Sequence, residues 1–483
     1  MASGGPNRMH TFYNHLYTIN DVVQFRLPGR APTVVVFDPE EMLKVHKASG
    51  PQPLGSTNQL WPFVKYFAER QTKYKGTPMA FSDGQDWKHL RHAMQEGLFG
   101  YEDAQSYVPL IAQVGRDIAE RIPKHEKDIL QYLNLATFEL IHSVIFGIRT
   151  NVLEESKANP VDLEFVKATF GAFKHGADLM FDPVASMIAV ADKLPPQAKA
   201  SIPQSAWEKY DYFCQSMNSI LDIGAGKVKQ LIAESVESKY KSDSTGTKPL
   251  LVRYILSGQL NEDQMVLNVA GLLQGGVDTT ANTLAWSLTR LAQFPHVQKP
   301  LRDEIRAVKP NPDALWTAEE LGQLKLLSSF VDETMRLVPT AQGHLRTPLD
   351  DCVVTSRRQN VSYTIPKGSR VQFISSPLQN DPSIVSNPAE FKVDRFTREC
   401  KHARRGTPEA KIDHPLTDVF SWGPRMCLGA RLAKIELVLT LAEVIGMHNI
   451  GFQDSRTNRN IGVFNSFLTR PDPIPEFRFT KAT

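Results

Sequence analysis

The segment Phe420-Ser421-Trp422-Gly423-Pro424-Arg425-Met426-Cys427-Leu428-Gly429 concentrates more chemistry than any other stretch of the chain. Cys427 sits in a glycine-bounded loop just ahead of a helical pattern. Main-chain N–H groups at a helix N-terminus stabilise an anion, and a thiolate so placed has a lowered pKa and is a good metal ligand. Gly423 and Gly429 permit backbone shapes that a Cβ forbids and leave room for a large, flat group. Arg425 adds positive charge that can pair with a carboxylate. Taken alone, such a cysteine is more often a buried structural thiol.

A second group is Gly275-Gly276-Val277-Asp278-Thr279-Thr280. Two adjacent glycines inside a helical pattern cost about 1 kcal/mol each relative to alanine, and a local rule broken in this way often marks a functional site. If the helix opens there, the Thr279 hydroxyl can bind water or dioxygen and Asp278 can relay protons. The competing reading is an N-cap of a second helix, a role that suits Asp and Thr. A third group is Glu333-Thr334-Met335-Arg336, an acid and a base on one helical face; exposed, such a pair is worth only about 0.2–0.5 kcal/mol. Trp87 and Arg91, at i and i+4, could present an indole N–H and a cation to one carboxylate, or simply be the half-buried side of an amphipathic helix.

These groups need elements to hold them. Val22–Phe37 reads as a hairpin turning at Pro28-Gly29. Helical patterns follow at Asp86–Leu98, Asp103–Arg121, Ile129–Phe146 and Trp207–Tyr240, the last ending in a polar loop at Ser242–Lys248. Asn261 with Gln264 forms a helix start. That helix runs to about Phe294, where Pro295 stops it, and spans roughly 50 Å at about 1.5 Å per residue. Val353–Ile374 reads as strands around a turn at Pro366-Lys367-Gly368, and Arg431–Met447 as a further helix.

Bulk composition sets bounds. The chain has 483 residues, 41% of them hydrophobic and 22% charged, enough to bury a large core. Its 55 basic and 52 acidic residues leave a net charge of +3, which gives no reason to expect a nucleic-acid partner. The cysteines Cys214, Cys352, Cys400 and Cys427 form no CxxC pair, so zinc-site spacing is absent and a reducing compartment is the expectation. No run of about 18 apolar residues is present, so no transmembrane helix is expected. Residues 1–20 read as a trimmed or expression-derived terminus and 21–483 as one domain, with no linker or repeat dividing it.

Phe420–Gly429 fits FxxGxRxCxG, which resembles the haem-binding loop of the cytochrome P450 family. Gly275–Thr280 resembles the family's oxygen-activation motif. Glu333–Arg336, with the later Pro388–Phe396 segment, resembles its ExxR helix and PxxFxxxRF segment. The resemblance implies a mainly α fold with a small β-rich region, the cytochrome P450-like single-domain fold, binding haem b (iron protoporphyrin IX). It assigns Cys427 as axial ligand to the iron, and Asp278 and Thr279 to dioxygen activation. Glu333, Arg336 and Arg395 become a buried structural lock. Phe420, Gly423, Arg425 and Gly429 cradle the haem, and Trp87, Arg91, Arg346 and Arg425 meet its propionates. Gln274, Gly275, Thr340, Ala341, Gln342 and Phe464 are substrate candidates, within the stretches Trp61–Phe81, Leu272–Thr280, Thr340–Gly343 and Val463–Phe467.

The implied activity is insertion of one oxygen atom from O2 into an apolar lipid, sterol, terpenoid or xenobiotic. Electrons would come from NAD(P)H through a ferredoxin or cytochrome P450 reductase. Lys88, His89, Arg91, His92, Arg404, Arg405, Lys411, Arg431 and Lys434 would offer the donor a basic face; the competing reading is ordinary solvated charge. Gly275–Leu288 and Phe138–Arg149 are similar to the mitochondrial group, although Asp332 stands where that group carries Lys. Peripheral membrane contact is expected, mitochondrial in preference to endoplasmic reticulum. Two alternatives stand beside this reading: a related isomerase or peroxygenase acting on peroxides, and a helical binding protein with no redox role.

Overall fold

The computed structural model describes residues 9–26, 31–55, 60–236, 247–454, 461–465 and 468–482. Close contacts gather the chain into two units, one holding residues 1–55, 112–133 and 279–483, the other 56–111 and 134–278.

Among the described residues, all the strands fall in the first unit. Strands β1 (Val22–Phe25) and β2 (Thr33–Val36) pair antiparallel, Val22 opposite Val36. The expected turn at Pro28-Gly29 lies outside the described residues. Three short strands follow: β3 (His344–Arg346), β4 (Cys352–Ser356) and β5 (Val361–Ile365). The β2 strand pairs parallel with β6 (Arg370–Phe373), which pairs antiparallel with β3, so the main sheet runs β1-β2-β6-β3. Strands β4 and β5 form a separate antiparallel ribbon, with Gly368 at φ 79° in the turn that follows. Val36, Val45, Val354, Val371 and Phe373 make the adjoining core. Two helices of this unit carry chemistry: Lys325–Leu337, and Ala430–Met447, which starts at Gly429.

The second unit is built from helices, among them Gly84–Gln95, Pro160–Phe181 and Gln204–Val236. Asn159 caps the second of these, accepting from the Val161 N–H at 2.8 Å, with Pro160 in the first turn where its missing N–H costs nothing. The expected Asp103–Arg121 helix is two pieces, Tyr101–Gln105 and Val108–Arg121. Pro109 suits the first turn of a new helix and cannot continue an old one. The helix expected to reach Leu98 ends at Gln95, ahead of Gly97 at φ 85°. The polar loop expected from Ser242 lies largely outside the described residues.

The long helix spans Glu262–Gln293. Asn261 and Gln264 form its reciprocal cap: Gln264 N–H donates to Asn261 Oδ1 at 2.9 Å, and Asn261 N–H to Gln264 Oε1 at 3.0 Å. The helix runs unbroken through Gly275-Gly276, so the expected opening is absent from the backbone. A Cβ on Gly276 would meet Ile141 Cγ1 at 3.0 Å, whereas one on Gly275 would meet nothing within 4 Å. Gly276 therefore serves helix packing.

Among the described residues one helix, Ile129–Phe146, is long and apolar enough to cross a membrane by length and composition. Since 78% of that segment is buried inside the protein, it reads as a core helix.

Candidate functional site

The Cys427 loop is wound tightly on itself. Cys427 N–H donates to the Phe420 carbonyl at 2.8 Å, Met426 N–H to Gly423 O at 3.0 Å, and Phe420 N–H to Asp418 Oδ1 at 2.8 Å. Ser421 and Gly423 both take positive φ, 63° and 82°. Gly423 is required for a second reason: a Cβ there would lie 2.3 Å from the His46 ring, which packs on Trp422 with centroids 5.1 Å apart. Cys427 is exposed at the loop's end, and Gly429 begins the Ala430–Met447 helix.

Arg346, at the end of β3, is 5% exposed. Its guanidinium donates to the Leu345 carbonyl and to Ser421 Oγ, each at 2.8 Å. Its Nε has no hydrogen-bond partner, and among the described residues no carboxylate pairs with it. Burial, with Arg425 nearby, lowers its pKa to about 10. Arg425 Nε donates to the Pro53 carbonyl at 2.8 Å. A buried cation beside another cation needs an anion. The accessible thiol, the glycine cradle and these two arginines fit an anionic, flat, metal-bearing group such as haem. Trp87 and Arg91 belong to the second unit, both buried on the Gly84–Gln95 helix.

Asp278 and Thr279 are half-buried on the long helix. Burial pushes the Asp278 carboxyl up to about 7, so it can exchange a proton near neutrality. Next to them, Thr280 donates to Glu436 Oε2 at 3.5 Å, and one turn on Thr283 Oγ donates to the Thr279 carbonyl at 2.8 Å. Thr283 Oγ also lies 2.7 Å from Thr340 Oγ. With its own hydrogen committed to Thr279, Thr283 must accept from Thr340.

Glu333, Arg336 and Arg395 meet in one buried network, each no more than 2% exposed. Arg336 grips both Glu333 oxygens, Nε at 2.7 Å and Nη2 at 2.9 Å, and Arg395 Nε donates to Glu333 Oε1 at 3.0 Å. The remaining Arg336 donors reach the Gln379 and Pro388 carbonyls at 2.8 and 2.9 Å. A fourth member, Glu409, accepts from Arg395 Nη1 at 2.9 Å and from Ser386 Oγ at 2.9 Å. Glu409 lies in a polar stretch whose spacing gave no hint of it.

The substrate candidates fare unevenly. Gln274 is buried, donating to the Thr169 carbonyl at 3.2 Å while its Oε1 stays unpartnered. Gly275 is exposed, and Ala341 and Gln342 are half-buried. Thr340 is committed to Thr283, and Phe464 carries Arg470 4.4 Å over its ring. Phe63 and Phe81, from the first expected stretch, stack at 5.3 Å. Residues 466–467 of the last stretch lie outside the described residues.

The expected basic face is thinner than its sequence. Arg404 and Lys411 pair with Asp413 and Asp38, and Lys434 pairs with Asp332 at 3.0 Å. Arg91 is buried, while Lys88, His89, His92, Arg405 and Arg431 are exposed.

A family model described as Cytochrome P450 matches residues 3–475. The mitochondrial cholesterol side-chain cleavage enzyme of Equus caballus is 25% identical over 482 residues, 97% of this chain and 84% of that protein. The mitochondrial 25-hydroxyvitamin D-1 alpha hydroxylase of Homo sapiens is 26% identical over 462 residues, covering 92% and 83%. The crystal structure of the cytochrome P450DA heme domain shares the fold, with a TM-score of 0.73, 17% identity, and coverage of 98% of this chain and 93% of that one.

Proposed function

Because the chain belongs to the cytochrome P450 family, and is thus a cytochrome P450 oxidoreductase, we propose that it inserts oxygen into an apolar substrate of the sterol or related lipid class. The observation that carries the site assignment is the Cys427 loop: an accessible thiol in a glycine cradle, with Arg425 in the loop and the buried Arg346 bonded to Ser421, no carboxylate among the described residues pairing with Arg346.

Bound haem supplies dioxygen activation and the oxidising power for a C–H bond. The chain's residues do the rest. Cys427 is the thiolate ligand, held by the Phe420 carbonyl through its own N–H. Arg346 and Arg425 would neutralise the haem propionates, and the family pattern proposes the same role for Trp87 and Arg91. Asp278 takes up and releases protons, its carboxyl tuned by burial to about 7, and the Thr279 hydroxyl passes them on. Glu333, Arg336 and Arg395 hold the architecture and touch no reacting atom. Gln274, Ala341 and Gln342 face substrate, whereas Thr340 acts through Thr283.

Electrons reach the protein from a small acidic iron–sulfur ferredoxin, and the protein works at a mitochondrial membrane surface. Both proposals rest on relatives whose names place them in mitochondria. Cytochrome P450 reductase is the alternative donor.

The test is the visible spectrum of the reduced protein with and without carbon monoxide. A strongly red-shifted Soret band is expected, and Cys427→Ala should abolish it. A band at the position of neutral-ligand haem proteins would overturn Cys427 as ligand. Spin-state titration with sterols and other lipids then defines the substrate class, and no response to any apolar compound would count against that class.

A further inference from the structure

Glu436 is a carboxyl in the interior that the chemistry above does not use. It is 2% exposed, on the helix that begins three residues after Cys427. Its neighbours in sequence, Ile435, Leu437, Val438 and Leu439, are buried apolar residues. Its Oε2 meets the Thr280 hydroxyl at 3.5 Å. Its Oε1 has no hydrogen-bond partner, and neither has the hydroxyl of Thr440, one turn further along the same helix. Among the described residues no cation pairs with it.

A buried acid in such surroundings is costly, and a hydrophobic residue of similar size would pack there at lower cost. Burial keeps it neutral by pushing the carboxyl up to about 8. A neutral carboxylic acid both donates and accepts, so it can pair with a hydroxyl in either sense. Thr280 is the residue after Thr279. The Thr279 turn is tethered at one further point, since Thr283 donates to the Thr279 carbonyl and accepts from Thr340.

We propose that Glu436 is a positioning residue that fixes the Thr279–Thr280 turn of the long helix against the helix following Cys427. The contact joins the element that presents the thiolate to the turn that presents the hydroxyl. A small rotation of that helix would carry the Thr279 hydroxyl away from any proton-transfer partner, because proton transfer needs hydrogen-bond distance. This inference rests on the haem-thiolate reading above, and the experiment separates the two.

Glu436→Gln and Glu436→Leu are prepared as holoproteins, and the carbon monoxide spectrum of each reports the haem-thiolate centre independently. Amide hydrogen exchange across residues 276–284 reports the turn itself, with no turnover required. Peroxide released per NAD(P)H consumed, with a ferredoxin and its reductase as donor, reports coupling. Glu436→Gln, which keeps a donor and an acceptor, should behave as wild type in both. Glu436→Leu should keep its spectrum but speed exchange in the turn by about fivefold, the ratio that one ordinary net hydrogen bond supplies, and release more peroxide. Should Leu fail to fold, Thr280→Val removes the same contact from the other side, and the same faster exchange is expected. Unchanged exchange in Leu or Val overturns the proposal, as does a Gln variant as perturbed as Leu. A missing red-shifted band in wild type would instead overturn the haem-thiolate reading.

Discussion

A half-buried acid lies on the Asp278–Thr280 turn of the long helix and a fully buried one lies against it, and both are shifted for the same reason. Asp278 is raised to about 7 and Glu436 to about 8, in each case chiefly by burial. For Asp278 the consequence is kinetic. If it delivers protons, the protonated form is required, so turnover should fall as pH rises through about 7. Asp278→Asn should lower turnover and remove that inflection; a variant with an unaltered pH profile would exclude Asp278 from the proton path. For Glu436 the consequence is stability. An unfolded glutamate ionises near 4.5, whereas the folded one keeps its proton to about 8. The stability gained from the neutral form is full below the lower value and lost as pH rises to the upper one, at most about 1.4 kcal/mol per pH unit. The melting temperature of Glu436→Gln should therefore fall less than that of wild type between pH 5 and 8. Parallel curves would mean that the interior tolerates the charge.

At the scale of elements, the lock helix Lys325–Leu337 shows how a weak motif becomes a strong structure. Outside a core, its Glu333–Arg336 pair would be worth a few tenths of a kcal/mol. Here Glu333 has no exposure, Arg336 spends its donors on Glu333 and two backbone carbonyls, and Arg395 closes the network. Removing one partner strands a buried charge, at a cost of about 3–5 kcal/mol. Arg336→Ala should be unstable and haem-poor on purification; normal haem content with a wild-type melting curve would show the network to be dispensable. The elements that carry local signals could be read from the sequence. The Asn261/Gln264 cap, the Val22–Phe37 hairpin and the Ile129–Phe146 helix all state themselves within a few residues. Long-range partners could not. Glu409 reaches Arg395 across 14 positions, Thr340 reaches Thr283 across 57, and Glu436 reaches Thr280 across 156. No periodicity encodes such distances. The paired glycines misled, because Gly276 answers to Ile141 rather than to an opening in the helix.

At the scale of the whole molecule, the proposed ferredoxin donor raises the question of charge. A net charge of +3 is too small to steer anything by itself. What matters is which cations face solvent. Lys434 is engaged with Asp332 and Arg404 with Asp413, so neither offers a full charge to a partner. Lys88 and Arg431 are exposed. Attraction between an acidic ferredoxin and such exposed charges is screened beyond about 10 Å at 0.1 M salt, and rim charges act mainly on the association rate. Reduction of the haem by a ferredoxin should therefore slow as ionic strength rises. Lys88→Glu and Arg431→Glu should each slow it further at low salt, with little change at high salt. Lys434→Ala should instead act mainly on stability, by stranding Asp332. Stopped-flow reduction across a salt series reads all three. Rates indifferent to salt and to both reversals would mean that the donor docks without this charge, and would favour a partner recognised by apolar contact.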